Sequence, residues 1–152
     1  MEEVRFERFT LLIDGIHKSI HNLKSTIAPH LGVKGVHVLW VYELLKHDDG
    51  LTAAELATRS KVNRSLISRE IEALMKDGYV VYKGGGSGRY NEKLLLTDKG
   101  RALAEKIREE VVRIQGAVDE SISEEELFAF YNTLEKLSAN FRILEDKTKN
   151  NT

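Results

Sequence analysis

Residues 60–97 read SKVNRSLISREIEALMKDGYVVYKGGGSGRYNEKLLLT. Asn63 is suited to cap a helix, because its side-chain oxygen accepts from backbone N–H groups that the first turn leaves unpaired. Gly78 supplies the left-handed residue that ends one, so a helix is predicted from Asn63 to about Asp77. Within it Ile67, Ile71, Leu74 and Met75, flanked by Leu66, form an apolar inner stripe, and Arg64, Ser65, Ser68, Arg69 and Glu72 lie on the opposite side. Tyr79-Val80-Val81-Tyr82 is rich in strand formers, and Lys93-Leu94-Leu95-Leu96 answers it by position. Between them, Gly84, Gly85, Gly86 and Gly88 make a flexible loop with Lys83 and Arg89 at its sides.

Upstream, Thr52 and Glu55 stand in capping-box register, so a helix with Leu56 and Ala57 on its inner face is predicted to stop near Ser60. Helix, tight turn over Ser60-Lys61-Val62, helix and hairpin, in that order, describe a winged helix-turn-helix. Before it, Val36, Leu39, Trp40, Tyr42, Glu43, Leu44 and Leu45 form a short apolar helix closed by His47, Asp48, Asp49 and Gly50. Phe6, Phe9, Ile13, Ile16, Ile20, Leu23 and Ile27 alternate spacings of three and four, a heptad seam suited to another subunit, which Pro29 and Gly32 end. Downstream, Thr97 caps a helix striped by Leu103, Ile107, Val111, Ile114 and Val118, with Gly100 early in it. Ser123 and Glu126 open a last helix whose apolar face is Leu127, Phe130, Leu134, Leu137, Phe141 and Leu144. The expected fold is mainly α with a small β-hairpin wing, a winged helix-turn-helix flanked by N- and C-terminal dimerisation helices. The expected divisions are 1–34 for the first dimerisation helix, 35–97 for the winged lobe, 98–148 for the C-terminal dimerisation helices and 149–152 for a fraying tail.

Composition agrees. The chain has 152 residues, 41% hydrophobic and 31% charged, which suits a soluble domain with a core. No run of 18 apolar residues offers a transmembrane helix, and MEEVRFERFT lacks the apolar run of a secretory signal, so a cytoplasmic location is expected. The absence of cysteine excludes disulfides, thiolate metal sites and thiol redox sensing. The net charge of -1 conceals a basic middle: Arg59, Lys61, Arg64, Arg69, Lys76, Lys83, Arg89 and Lys93 face Glu55, Glu70, Glu72, Asp77 and Glu92 between residues 51 and 93. Such a segment on a near-neutral scaffold suits nucleic acid. No Gly-x-Ser-x-Gly, His-Glu-x-x-His or P-loop pattern occurs, so neither enzyme activity nor a cofactor is expected. His17 and His21 share a helix face but lack an evident third ligand, so no metal site is expected either.

Short hydroxyls and arginines near a helix N-terminus fit major-groove work. Serine approaches base edges or phosphates, arginine pairs bidentately with guanine, and the helix N-terminus favours phosphate oxygens. A flexible loop carrying Arg89 fits a narrow minor groove, where negative potential is enhanced. The expected partner is double-stranded DNA. The rival reading is a protein-binding winged-helix adaptor, which has no need of the basic middle or the Gly-Arg wing.

The runs Gly50-Leu-Thr-Ala-Ala-Glu-Leu-Ala and Val62-Asn-Arg-Ser-Leu-Ile-Ser-Arg-Glu-Ile-Glu-Ala-Leu resemble the core of the multiple-antibiotic-resistance regulator (MarR) family. So does the continuation from Lys76-Asp-Gly-Tyr-Val through Arg89 to Leu94, Leu95, Leu96 and Thr97-Asp-Lys-Gly-Arg-Ala-Leu. The resemblance covers about residues 36–110 in motif and implies a homodimeric regulator, usually a repressor, on a pseudo-palindromic operator. Carried over, DNA contacts fall to Asn63, Arg64, Ser65, Ser68 and Arg69 on the helix and Arg89 on the wing, with Thr52 and Lys61 as phosphate candidates. The family's wing often places an aspartate before that arginine; here Gly88 stands there. The resemblance also implies a small aromatic or anionic effector near the dimer arms, for which His17, His37, Trp40 and Tyr42 are the candidates.

Overall fold

The computed structural model describes residues 2–60, 62, 64–85 and 91–150, and for residues 2, 3 and 64 it describes the backbone alone. The elements are α1 (Glu2–His30), α2 (Gly35–Leu45), β1 (Leu51–Thr52), α3 (Ala53–Ser60), α4 (Arg64–Lys76), β2 (Val80–Tyr82), β3 (Lys93–Leu96), α5 (Asp98–Val118) and α6 (Glu124–Asn150). Two compact units are distinguished, Met1–Val111 and Val112–Thr152.

In the first unit, α1 includes Pro29 in its last turn and closes at Gly32, whose φ of 72° allows Val33 N–H to reach Ala28 O at 3.1 Å. The same closure ends α4. Gly78 adopts φ 78°, and Tyr79 N–H donates to Leu74 O at 2.9 Å. The predicted hairpin, β2 and β3, belongs to a three-stranded antiparallel sheet in the order β1-β3-β2, with β3 in the centre. Val80 pairs with Leu96 and Tyr82 with Leu94, while Leu51 and Thr52 pair with Leu94 and Lys93. The third strand is an addition to the sequence expectation, in which Gly50 only closed a turn. Gly50 has φ 81°, and a Cβ there would collide with Leu94 O, so glycine is what lets this segment lie against β3.

One core joins these elements: Trp40, Val41 and Leu44 of α2, Leu51, Leu56 and Ala57, Ile67, Ile71 and Leu74 of α4, Val80, Leu94, and Leu103, Ala104 and Ile107 of α5. Thr97 fixes α5 to the start of the wing. Its hydroxyl donates to Gly78 O at 2.6 Å and accepts from Gly100 N–H at 3.0 Å. Gly100 sits so close to Tyr79 O that no side chain fits.

The second unit holds the end of α5 and α6. Ser123 and Glu126 form the expected capping box, with Ser123 N–H donating to Glu126 Oε2 at 2.9 Å and Glu126 N–H to Ser123 Oγ at 3.2 Å. The helix runs to Asn150, so residues 147–150 of the polar tail are helical. None of its residues is buried.

Candidate nucleic-acid interface

Helix α4 is oriented by its inner stripe. Ile67, Ile71 and Leu74 are buried, which turns Ser65, Ser68, Arg69, Glu72 and Lys76 to solvent. Ser65, Arg69, Glu72 and Lys76 follow one another at spacings of four, three and four, a straight outer row. Lys76 completes that row and was absent from the sequence-based candidates, although its spacing from Arg69 and Glu72 was there to be read. Arg69 is 73% exposed, with Nε 3.5 Å from Glu70 Oε1.

The other candidates are distributed as follows. Arg64 begins α4, with its side chain outside the described part of the structure; Lys61, Asn63 and Arg89 lie outside the described residues. Thr52 opens α3: its N–H donates to Glu55 Oε2 at 2.7 Å, its hydroxyl donates to the same oxygen at 2.9 Å, and Glu55 N–H donates back to Thr52 Oγ1 at 3.2 Å. The Thr52 backbone N–H, followed by its hydroxyl, holds the Glu55 carboxyl below the usual carboxylate range. At the wing base Lys83 N–H donates to Lys93 O at 2.8 Å, and Gly84 and Gly85 both take positive φ.

Glu43 ties α2 to α3. Its carboxylate takes Lys46 Nζ at 2.7 Å and Arg59 Nη1 at 3.3 Å. Burial opposes its ionisation, yet Lys46 and Arg59 hold its pKa below the ordinary value.

The effector candidates differ in exposure. His17 is exposed on α1, while His37 and Trp40 are buried on α2 with ring centroids 6.1 Å apart. Tyr42 is half-buried under Lys46, whose Nζ lies 4.4 Å from its ring centroid. The Trp40 indole N–H is buried without a hydrogen-bond acceptor among the described residues. His37 has a partner that sequence reading missed: Nε2 lies 3.0 Å from Glu70 Oε2, which also accepts from Lys34 Nζ at 2.7 Å. Burial lowers the His37 pKa below its ordinary 6.5, against the pull of Glu70. The bond from Lys34, against burial and with help from His37, lowers that of Glu70. The available signal was spacing, since Glu70 stands three residues from Ile67 and four from Leu74, at the margin of the inner stripe.

A family model described as a winged helix DNA-binding domain matches residues 38–114. A solved MarR-family transcription regulator superposes with TM-score 0.80 at 20% identity, covering 95% of each chain. Staphylococcus aureus MarR, solved with salicylate and kanamycin, gives 0.79 at 19% identity over 91% of this chain and 93% of that one. A MarR-family regulator from Listeria monocytogenes, solved with 26mer DNA, gives 0.75 at 21% identity over 84% and 85%. By sequence, no curated protein matches the chain. These fold neighbours are transcription regulators, which are not enzymes. Among the described residues, no helix is long and apolar enough to cross a membrane. The chain belongs to the winged helix DNA-binding domain family, with the fold of the MarR transcription regulators.

Proposed function

We propose that this chain is a transcription regulator, a repressor, that binds an inverted-repeat operator as a homodimer and is released by a small aromatic or anionic ligand. The observation that carries the DNA reading is the outer row of α4, a solvent-facing strip with an arginine and a lysine, held by a buried inner stripe. Asn63, Arg64, Ser65, Ser68 and Arg69 are the proposed major-groove contacts, with Arg89 in the minor groove and Thr52 and Lys61 at phosphates. Fold neighbours solved on DNA support DNA as the partner.

Homodimerisation is supported by uncovered apolar surface. Phe6, Ile16, Ile20 and Leu23 of α1 are exposed in the single chain, as are Phe130, Phe141 and Leu144 of α6. Patches of this kind mark association surfaces. For ligand release, the indole N–H of Trp40, buried without an acceptor among the described residues, favours an acceptor such as a carboxylate or phenolate, and a neighbour solved with salicylate is consistent with that chemistry. His17, His37 and Tyr42 remain the companion candidates. A ligand that prefers a lobe spacing unsuited to DNA shifts the population toward release.

Selection of bound sequences from a random duplex pool, at two salt concentrations and with the Arg64→Ala/Arg69→Ala double variant, tests the reading. An inverted repeat enriched by the wild type, lost in the variant and weakened by salt is expected. Absence of DNA binding at low salt would instead favour a protein-binding adaptor.

A further inference from the structure

The carboxylate of Glu70 is 6% exposed, and its two oxygens face different parts of the molecule. Oε2 is held by Lys34, the residue that precedes α2, and by His37 in the first turn of that helix. Oε1 lies 3.5 Å from Nε of Arg69, on the outer row of α4. An ion pair between two exposed side chains is worth little, because both must be immobilised against solvent and rotamer freedom. Here one partner is already fixed: Lys34 and His37 set the carboxylate plane, so Arg69 meets an acceptor whose position is determined from the other side. A guanidinium aligned before contact loses less freedom when it forms paired bonds to a base edge.

We propose that Glu70 is a positioning residue for DNA recognition, anchored by Lys34 and His37 through one oxygen and orienting the Arg69 guanidinium through the other. This rests on the reading of the α4 outer row as the DNA-contacting face. The proposal separates two roles that a deletion would confuse. Glu70→Gln retains an amide oxygen to accept from Lys34 and His37 and turns an NH2 toward Arg69, so the anchor persists while the orienting acceptor is lost.

The test is a double-variant cycle on the full chain. Fluorescence anisotropy is read with the duplex recovered by selection and with a scrambled duplex, for wild type, Glu70→Gln, Arg69→Ala and the pair, at a salt concentration where all bind. Expected is an about tenfold loss on the selected duplex for Glu70→Gln, little change on the scrambled one, and no further loss when Glu70→Gln is added to Arg69→Ala. An equal loss with and without Arg69 would overturn the proposal in favour of a purely structural Glu70, and so would an unchanged affinity in either single variant. Should Glu70→Gln melt below the assay temperature, Lys34→Met, at an exposed side chain, frees the same carboxylate, and the same coupling to Arg69 is required of it. Wild type that binds no duplex would overturn the DNA reading itself, an outcome distinct from wild-type binding without coupling.

Discussion

Helices α4 and α6 carry the same kind of apolar stripe at spacings of three and four, but only that of α4 is buried; in α6 Leu127, Leu134 and Leu137 are half-buried and the rest are exposed. Ile67, Ile71 and Leu74 of α4 are 1–2% exposed, whereas Phe130, Phe141 and Leu144 of α6 are 39–60% exposed. The stripe of α4 belongs to the core of its own unit, together with Trp40, Leu56, Val80, Leu94 and Leu103. No residue of α6 is buried. Periodicity identifies a helix face, and burial within the chain tells whether its partner is internal. In the proposed dimer, the faces of α1 and α6 are the ones that a second copy covers.

That contrast breaks first at a matched pair of truncations. Leu74→Ala removes a core side chain and is expected to cost about 2–5 kcal/mol, read as a lowered urea midpoint. Phe141→Ala is expected to leave the unfolding of dilute monomer within about 0.5 kcal/mol and to weaken self-association. Equal costs would remove the distinction. A smaller effect tests how the wing is held to the core. Gly100→Ala forces a methyl group against Tyr79 O and is expected to cost about 1–3 kcal/mol by the same assay. Thr52→Ala loses the α3 cap and its expected cost is about 1 kcal/mol.

The smallest effect concerns pH. Burial first, then neighbouring charge, keeps the folded pKa of His37 below 6.5 despite Glu70 and Asp77, with Lys34 acting in the same direction as burial. Below pH 6.5 the unfolded chain therefore binds this proton more readily than the folded one, and stability falls as pH drops toward the folded value. Glu70, whose pKa is also lowered, adds its own loss at lower pH, below the ordinary 4.5. Melting temperature followed from pH 8 to 5 is expected to decline on the acid side, and His37→Asn to flatten the decline near pH 6. An unchanged slope in that variant would contradict the assignment.

Much of this architecture was legible in the sequence because local chemistry announced it. Thr52 with Glu55 and Ser123 with Glu126 form the capping boxes that their spacing predicts, and Gly78 ends α4 with positive φ. Less legible were features made by contacts across the chain. Strand β1 has two residues, too few for a period of two to register, and its existence depends on Gly50 lying against Leu94. Glu70 reads as one more polar helix residue until Lys34 and His37, 36 and 33 positions earlier, are brought onto it. Lys76 is readable from its spacing to Arg69 and Glu72, but it stands in the last turn of α4, away from the helix N-terminus that favours phosphate oxygens. The candidates Lys61, Asn63 and Arg89 lie outside the described residues.

Sedimentation equilibrium of the full chain at micromolar concentration, alone and on the selected duplex, tests the central claim most directly. The account predicts a protein mass twice 17.3 kDa and two protomers on each inverted repeat. A species of 17.3 kDa that binds the duplex one to one would contradict it, because Phe6, Ile16, Ile20 and Leu23 of α1 and Phe130 and Leu144 of α6 would then stay exposed to water.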